Sequence, residues 1–460
     1  MRWMLLAAAI PALWGQTAEV RGDRLIFRFV ASEWANLTFQ LDAMSGLSQA
    51  DGKAFRSLWE RELRWGREDD RQLDRWKSFR LRQLNAEPER GAAEPPGVAW
   101  PPNYASYYGA ELGLDQAARI AGFQARSIKD YRRRLGRVVE EREADGLASV
   151  VKHFGPRFHE YWEREGGGAA RPKAEAFAAL VRSAGILELA ETLAQFTEAD
   201  LPKRHEVWFY VMAHPARYGR NTMATQVQNH APVEMLDGEQ PAQKLGVIVH
   251  ELVHHFYDRA PQARQLALLE EFRRSGRPWK MSAYSYLNEA VATAAGILVE
   301  RRLRNDADFV EWSAKPRNVY GQPWIAALGM ATYPILERRL PDGKGLFAGF
   351  AEPYLAAVGE SLGGRTNHPH FRMASRVVVF RNGTLRGANR LFRERVPSIM
   401  HATGWDQLAR FPELPVVALA IDGEQESLLA RIGPGRDVTV IMGETAAAVE
   451  EAVERFAMRP

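Results

Sequence analysis

Apolar side chains recur along this chain in two rhythms. Leu245, Ile248, Val249, Leu252 and Phe256 fall three or four positions apart, the repeat that forms one stripe of an α-helix. Asp237 and Pro241 stand before that stripe and Pro261 after it, so a helix is predicted between them. Upstream, EVWFYVMA (206–213) gathers aromatic and β-branched residues into a short run that reads as a strand. ATQVQNHAPVEM (224–235) alternates in part and reads as extended. Its Pro232 has no N–H for a ladder and argues for an edge strand.

The same reading divides the rest of the chain. Residues 16–165 carry Trp59, Trp65, Trp76 and many leucines among Arg and Glu at helical spacing, and are predicted to form a helical N-terminal region. EPERGAAEPPGVAWPPN (87–103) breaks it, and GGGAARP (166–172) is the clearest linker candidate. Residues 172–340 form the expected central domain. Residues 341–460 end in VVALAI, EQESLLARI, VTVIM and TAAAVEEAVERFAM, which predict a small strand–helix–strand–helix unit. Its GPG (433–435) precedes a strand and carries no phosphate-binding meaning. The fold class expected is α+β and predominantly helical, with a small mixed sheet beside the central helix.

Composition narrows the class of protein. The 460 residues are 46% hydrophobic and 26% charged, enough for a substantial core in a water-exposed protein. A net charge of +4 gives no nucleic-acid footprint. The basic run RSIKDYRRRLGR is followed at once by the acidic VVEEREAD, as on a solvated helix face. MRWMLLAAAIPALWGQ matches a secretory signal cut after Gly15, so residues 1–15 are read as a signal peptide and the protein as secreted or periplasmic. No later stretch has the length of an integral membrane segment. The chain has no cysteine, which suits a bacterial exported protein held together by burial alone.

The candidate chemistry lies in VIVHELVHHFYD (247–258). On a helix, residues four apart project about 40° from each other, so His250 and His254 point the same way, whereas His255 lies about 140° from His250. His255 is therefore read as structural or as lining a cleft. HELVH is the H-E-x-x-H pattern, in which two imidazoles hold zinc and the intervening Glu251 serves as general base. A catalytic zinc needs a third protein ligand. In YSYLNEAVATAAGILVE (284–300), Glu289 is the single charged residue among apolar neighbours until Glu300, a placement that is costly unless the carboxylate meets a cation. The small Ala292, Ala295 and Gly296 permit the close helix packing a short Glu side chain needs.

HELVH followed by NEAVAT resembles the gluzincin branch of the zincin metallopeptidases, over about residues 205–300. The resemblance implies a zincin-like catalytic domain, Zn2+ on His250, His254 and Glu289, Glu251 as catalytic base, and a peptide or protein substrate. The spacing from His254 to Glu289 exceeds that of thermolysin-like members. Thr293 stands where those enzymes carry an Asp that orients a zinc histidine, and Asp258 is an alternative source of that contact. Tyr333, His368, His370, His401, Tyr284 and Tyr286 are candidates for an oxyanion donor. Two other readings stay open at this stage: a zinc hydrolase of some other amide, and a non-catalytic binding or scaffold protein that keeps a structural metal.

Overall fold

A computed structural model describes residues 16–85, 114–411 and 413–458. The signal-peptide reading of 1–15 and the Pro-rich break at 87–103 lie outside the described residues. The described residues are mostly helical with two four-stranded sheets, in keeping with the α+β, predominantly helical class expected. Among the described residues no helix is long and apolar enough to cross a membrane.

The described residues form two compact units. The first contains 16–85, 114–192 and 201–255. Its sheet runs β1 (Gln16–Arg21), β2 (Leu25–Ala31), β3 (His205–His214) and β4 (His230–Leu236), in that spatial order. β1 pairs antiparallel with β2, and the other two pairings are parallel. Two strands thus open a region that reads as helical from its tryptophans and leucines. Phe27, Phe29 and Phe209 share one face, where Phe29 stacks on both Phe209 and Phe177 of helix Gly167–Ser183 and Phe27 meets Phe209 edge-on. Val30, Tyr210 and Met212 share the other face with Phe39 of helix Glu33–Met44 and Phe55 of helix Gly52–Glu62. The buried Asn36 joins helix to sheet. Its amide donates to the Val211 carbonyl and accepts from the Ala213 N–H, continuing the β3 ladder beyond the end of β2. Although Asn36 sits in an Asn-x-Thr sequence, its side chain is 1% exposed and beyond reach of glycosylation in the fold.

The linker predicted at 166–172 is helical. A π-turn, Trp162–Gly166, runs directly into helix Gly167–Ser183. The glycines serve packing here. A Cβ on Gly166 would lie 2.9 Å from the Tyr161 ring, and one on Gly167 would lie 2.9 Å from the Trp162 carbonyl. Composition alone does not separate such a close-packed turn from a flexible joint.

The second unit contains 193–200, 256–411 and 413–458. Helix Lys280–Leu303 is buried on nearly every side, from Ser282 to Asn288 and from Ala290 to Glu300. It packs against helix Pro323–Arg339 so tightly that a Cβ on Gly329 would strike Thr293 Cγ2 at 2.3 Å. The tail is larger than the predicted strand–helix–strand–helix unit. β5 (Ser375–Val379), β6 (Met400–Thr403), β7 (Val416–Ile421) and β8 (Val438–Gly443) form a parallel sheet in the order β6-β5-β7-β8, each strand followed by a helix. Val417 and Leu419 face one apolar cluster and Val416 and Ala418 the other, which explains the unbroken apolar run VVALAI. Gly433 and Gly435 adopt positive φ in the turn before β8.

Candidate metal centre

The predicted helix forms over Ala242–Asp258. Leu245, Ile248, Val249, Leu252 and Phe256 are at most 2% exposed, so the stripe read from the sequence is the buried face. His250 and His254 are themselves buried, and Glu251 between them is half-buried. One turn of helix brings the two imidazoles together, with Nε2 atoms 3.0 Å apart and ring planes at 86°. Glu289, half-buried on helix Lys280–Leu303, completes the trio. One ligand atom from each of His250, His254 and Glu289 lies within 4.8 Å of the others. Among the described residues, this is the one group of three such side chains close enough to share an ion.

The donor set suits a divalent metal ion, zinc among them. Bonds of about 2 Å in a tetrahedron place ligand atoms about 3.3 Å apart, close to the spacing of the imidazole pair. Two imidazoles and one carboxylate give the site a formal charge of −1, suited to a divalent cation.

His255 points elsewhere, as the 140° projection requires. Its Nε2 lies 2.7 Å from Nε2 of His205, the first residue of β3, and the rings stack with centroids 5.0 Å apart. His255 is 1% exposed and packs on His205. Nothing in the sequence pattern marks His205, because its partner is 50 residues away.

The oxyanion candidates separate clearly. Both ring nitrogens of His401 are engaged, Nδ1 accepting from Arg376 and Nε2 donating to Asn389 inside the C-terminal sheet unit. Burial pushes its pKa down to about 3. The Tyr333 hydroxyl donates to Glu337 one turn on. Tyr284 pairs with Tyr257 in the core. His370 is buried against Phe456, with Nε2 3.3 Å from that residue's carbonyl, and His368 caps the His370 N–H. Tyr286 stands one turn before Glu289 and feels its charge. Burial is the main reason its pKa is pushed up to about 12, and its oxygen accepts from Gln322. Thr293 packs on Gly329, and Asp258 ends the HELVH helix, 9% exposed.

The extended segment 224–235 is a hairpin. Residues 223–227 turn back along the outer edge of β4 through bridges Ala224–Val233 and Val227–His230. Thr225 donates to the Pro232 carbonyl, and Val227 exchanges both backbone bonds with His230. Since the C=O of Pro232 faces this strap, so does its missing N–H, and the β3 ladder loses nothing. Gln228 turns the hairpin at φ 56°. The edge of β4 away from β3 is thus lined by this strap.

No protein family, curated protein or solved structure matches the chain.

Proposed function

We propose that the protein is a zinc-dependent peptidase in which Glu251 is the general base. The observation that carries this reading is the meeting of His250, His254 and Glu289 within 4.8 Å, with Glu251 adjoining the first of them. A structural site has no use for a carboxylate beside its ligands, whereas a hydrolytic one does. Zinc held by these residues supplies Lewis acidity and lowers the pKa of water toward neutrality.

The remaining steps belong to the chain. Glu251 accepts a proton from the attacking water and delivers it to the leaving amine. His250 and His254 hold their donor atoms on one helix face without any loop to rearrange. The peptide substrate follows from the resemblance of HELVH and NEAVAT to the gluzincin peptidases.

The test is hydrolysis of a mixed peptide library by protein as purified, after chelation, and after zinc is restored. The proposal expects cleavage that is lost and then recovered. A metal-loaded protein that folds but cleaves no peptide would instead support the scaffold reading.

A further inference from the structure

An outer strand of a sheet offers unpaired N–H and C=O groups to any other strand, and proteins ordinarily blunt it. Here β4 is lined by the strap, β1 carries Glu19 and Arg21, and β6 is only four residues long. The last outer strand, β8, has none of these devices. It runs six residues, VTVIMG, without a charge or a proline, and it pairs with β7 alone among the described residues.

The ladder shows which of its groups are bare. The Val416 N–H donates to the Asp437 carbonyl, and the Asp422 N–H donates to the Gly443 carbonyl. Bonding residues alternate along a parallel strand, so Asp437, Thr439, Ile441 and Gly443 turn their backbone toward β7. Val438, Val440 and Met442 turn theirs outward, and among the described residues nothing bonds them there. Their side chains are apolar. Val438 and Val440 lie at the margin of one core cluster, and Met442 is 38% exposed. A charge stands at either end. Arg436 donates to the carbonyls of Phe411 and Leu408 and meets no carboxylate among the described residues. Glu444 is exposed and likewise makes no ion pair among them.

Such an edge is complementary to its own copy run antiparallel. With Val440 set opposite Val440 of a second copy, Val438 meets Met442 and Thr439 meets Ile441. Each outward pair then exchanges two backbone bonds. In the same register Arg436 falls opposite Glu444 at both ends. A register slipped by two residues leaves an outward residue unmatched within the strand and separates the charges. We infer that β8 is a homodimer interface, at which two copies of this chain join their C-terminal sheets edge to edge about a two-fold axis at Val440. The same edge serves both copies, so the assembly closes at two. This interface is independent of the peptidase reading.

The test begins with sedimentation of the full wild-type chain at rising concentration, which is expected to pass from one chain to two. Glu444→Arg sets like charges opposite each other and is expected to raise the dimer Kd about tenfold. The chain has no cysteine, so one introduced thiol reports the register. Opposed residues that exchange bonds have Cα atoms about 5.5 Å apart, so Val440→Cys is expected to link two chains through a short bis-methanethiosulfonate. The thiols of Met442→Cys would stand four residues out of step, about 13 Å apart, and are expected not to link. A wild type that stays monomeric at every concentration would overturn the interface. So would a dimer whose Kd is unchanged in Glu444→Arg, or one that links Met442→Cys as readily as Val440→Cys. Should circular dichroism show that Glu444→Arg does not fold, the two thiol variants decide alone.

Discussion

His250 and His254 present their Nε2 atoms to each other at 3.0 Å across one helical turn. Two neutral imidazoles at that distance share at most one proton, and the contact is a weak reason for burying both rings. A cation between them is a strong one. Loss of a residue that merely orients a zinc ligand typically costs 10- to 100-fold in affinity. Removing a ligand should cost more. His250→Ala, His254→Ala and Glu289→Gln are each expected to lose at least about a hundredfold in zinc affinity, read by competition with a chromogenic chelator.

The helix that carries Glu289 is set by its fit to helix Pro323–Arg339. A methyl group on Gly329 would meet Thr293, one turn beyond Glu289, at 2.3 Å. Thr is β-branched and stiff at χ1, so the helices must part. Gly329→Ala is expected to cost about 1–3 kcal/mol of stability by overpacking, and to weaken zinc binding although it touches no ligand. Calorimetry and metal titration of the same variant check both effects.

Burial pushes the Glu234 carboxyl up to about 8 from an ordinary 4.5, against the pull of Lys244 and with the push of Asp51 and Glu239. Between those two values the folded chain holds a proton that the unfolded chain has released. This group therefore contributes falling stability as pH rises from about 4.5 to 8, at up to about 1.4 kcal/mol per pH unit. Above pH 8 its contribution is level. Glu234→Gln has no such slope. Urea denaturation at pH 5, 7 and 9 should show the variant gaining on wild type by a few kcal/mol between pH 5 and 8. Parallel curves would refute the buried neutral carboxyl.

Asn36 supplies the rungs that β2 does not reach. Asn36→Ala leaves the Val211 carbonyl and the Ala213 N–H buried without that partner, and is expected to cost about 2–3 kcal/mol in chemical denaturation. Asn36→Asp keeps the acceptor and loses the amide donor, so it should fall between the two.

Local chemistry was legible in the chain. The stripe from Leu245 to Phe256 sets the buried face of the HELVH helix, and the four-residue step fixes where His250 and His254 point. An isolated carboxylate amid alanines marks Glu289 within its own segment. Long-range pairing was not legible. Strands β1 and β2 join β3 across more than 170 residues, and no local pattern carries that register. The GGG stretch has the composition of a linker because close packing and flexibility both favour glycine. Segment 224–235 reads as one strand because a two-residue turn at Gln228 and Asn229 lacks the glycine that ordinarily announces a hairpin.

The most direct test of the account is peptide cleavage by Glu251→Gln beside wild type, with zinc measured in both. The account predicts that the variant keeps one zinc per chain and loses about 10²–10⁴ in kcat, because the metal site is intact and its proton carrier is gone. A Glu251→Gln protein that retains zinc and cleaves as fast as wild type would contradict it.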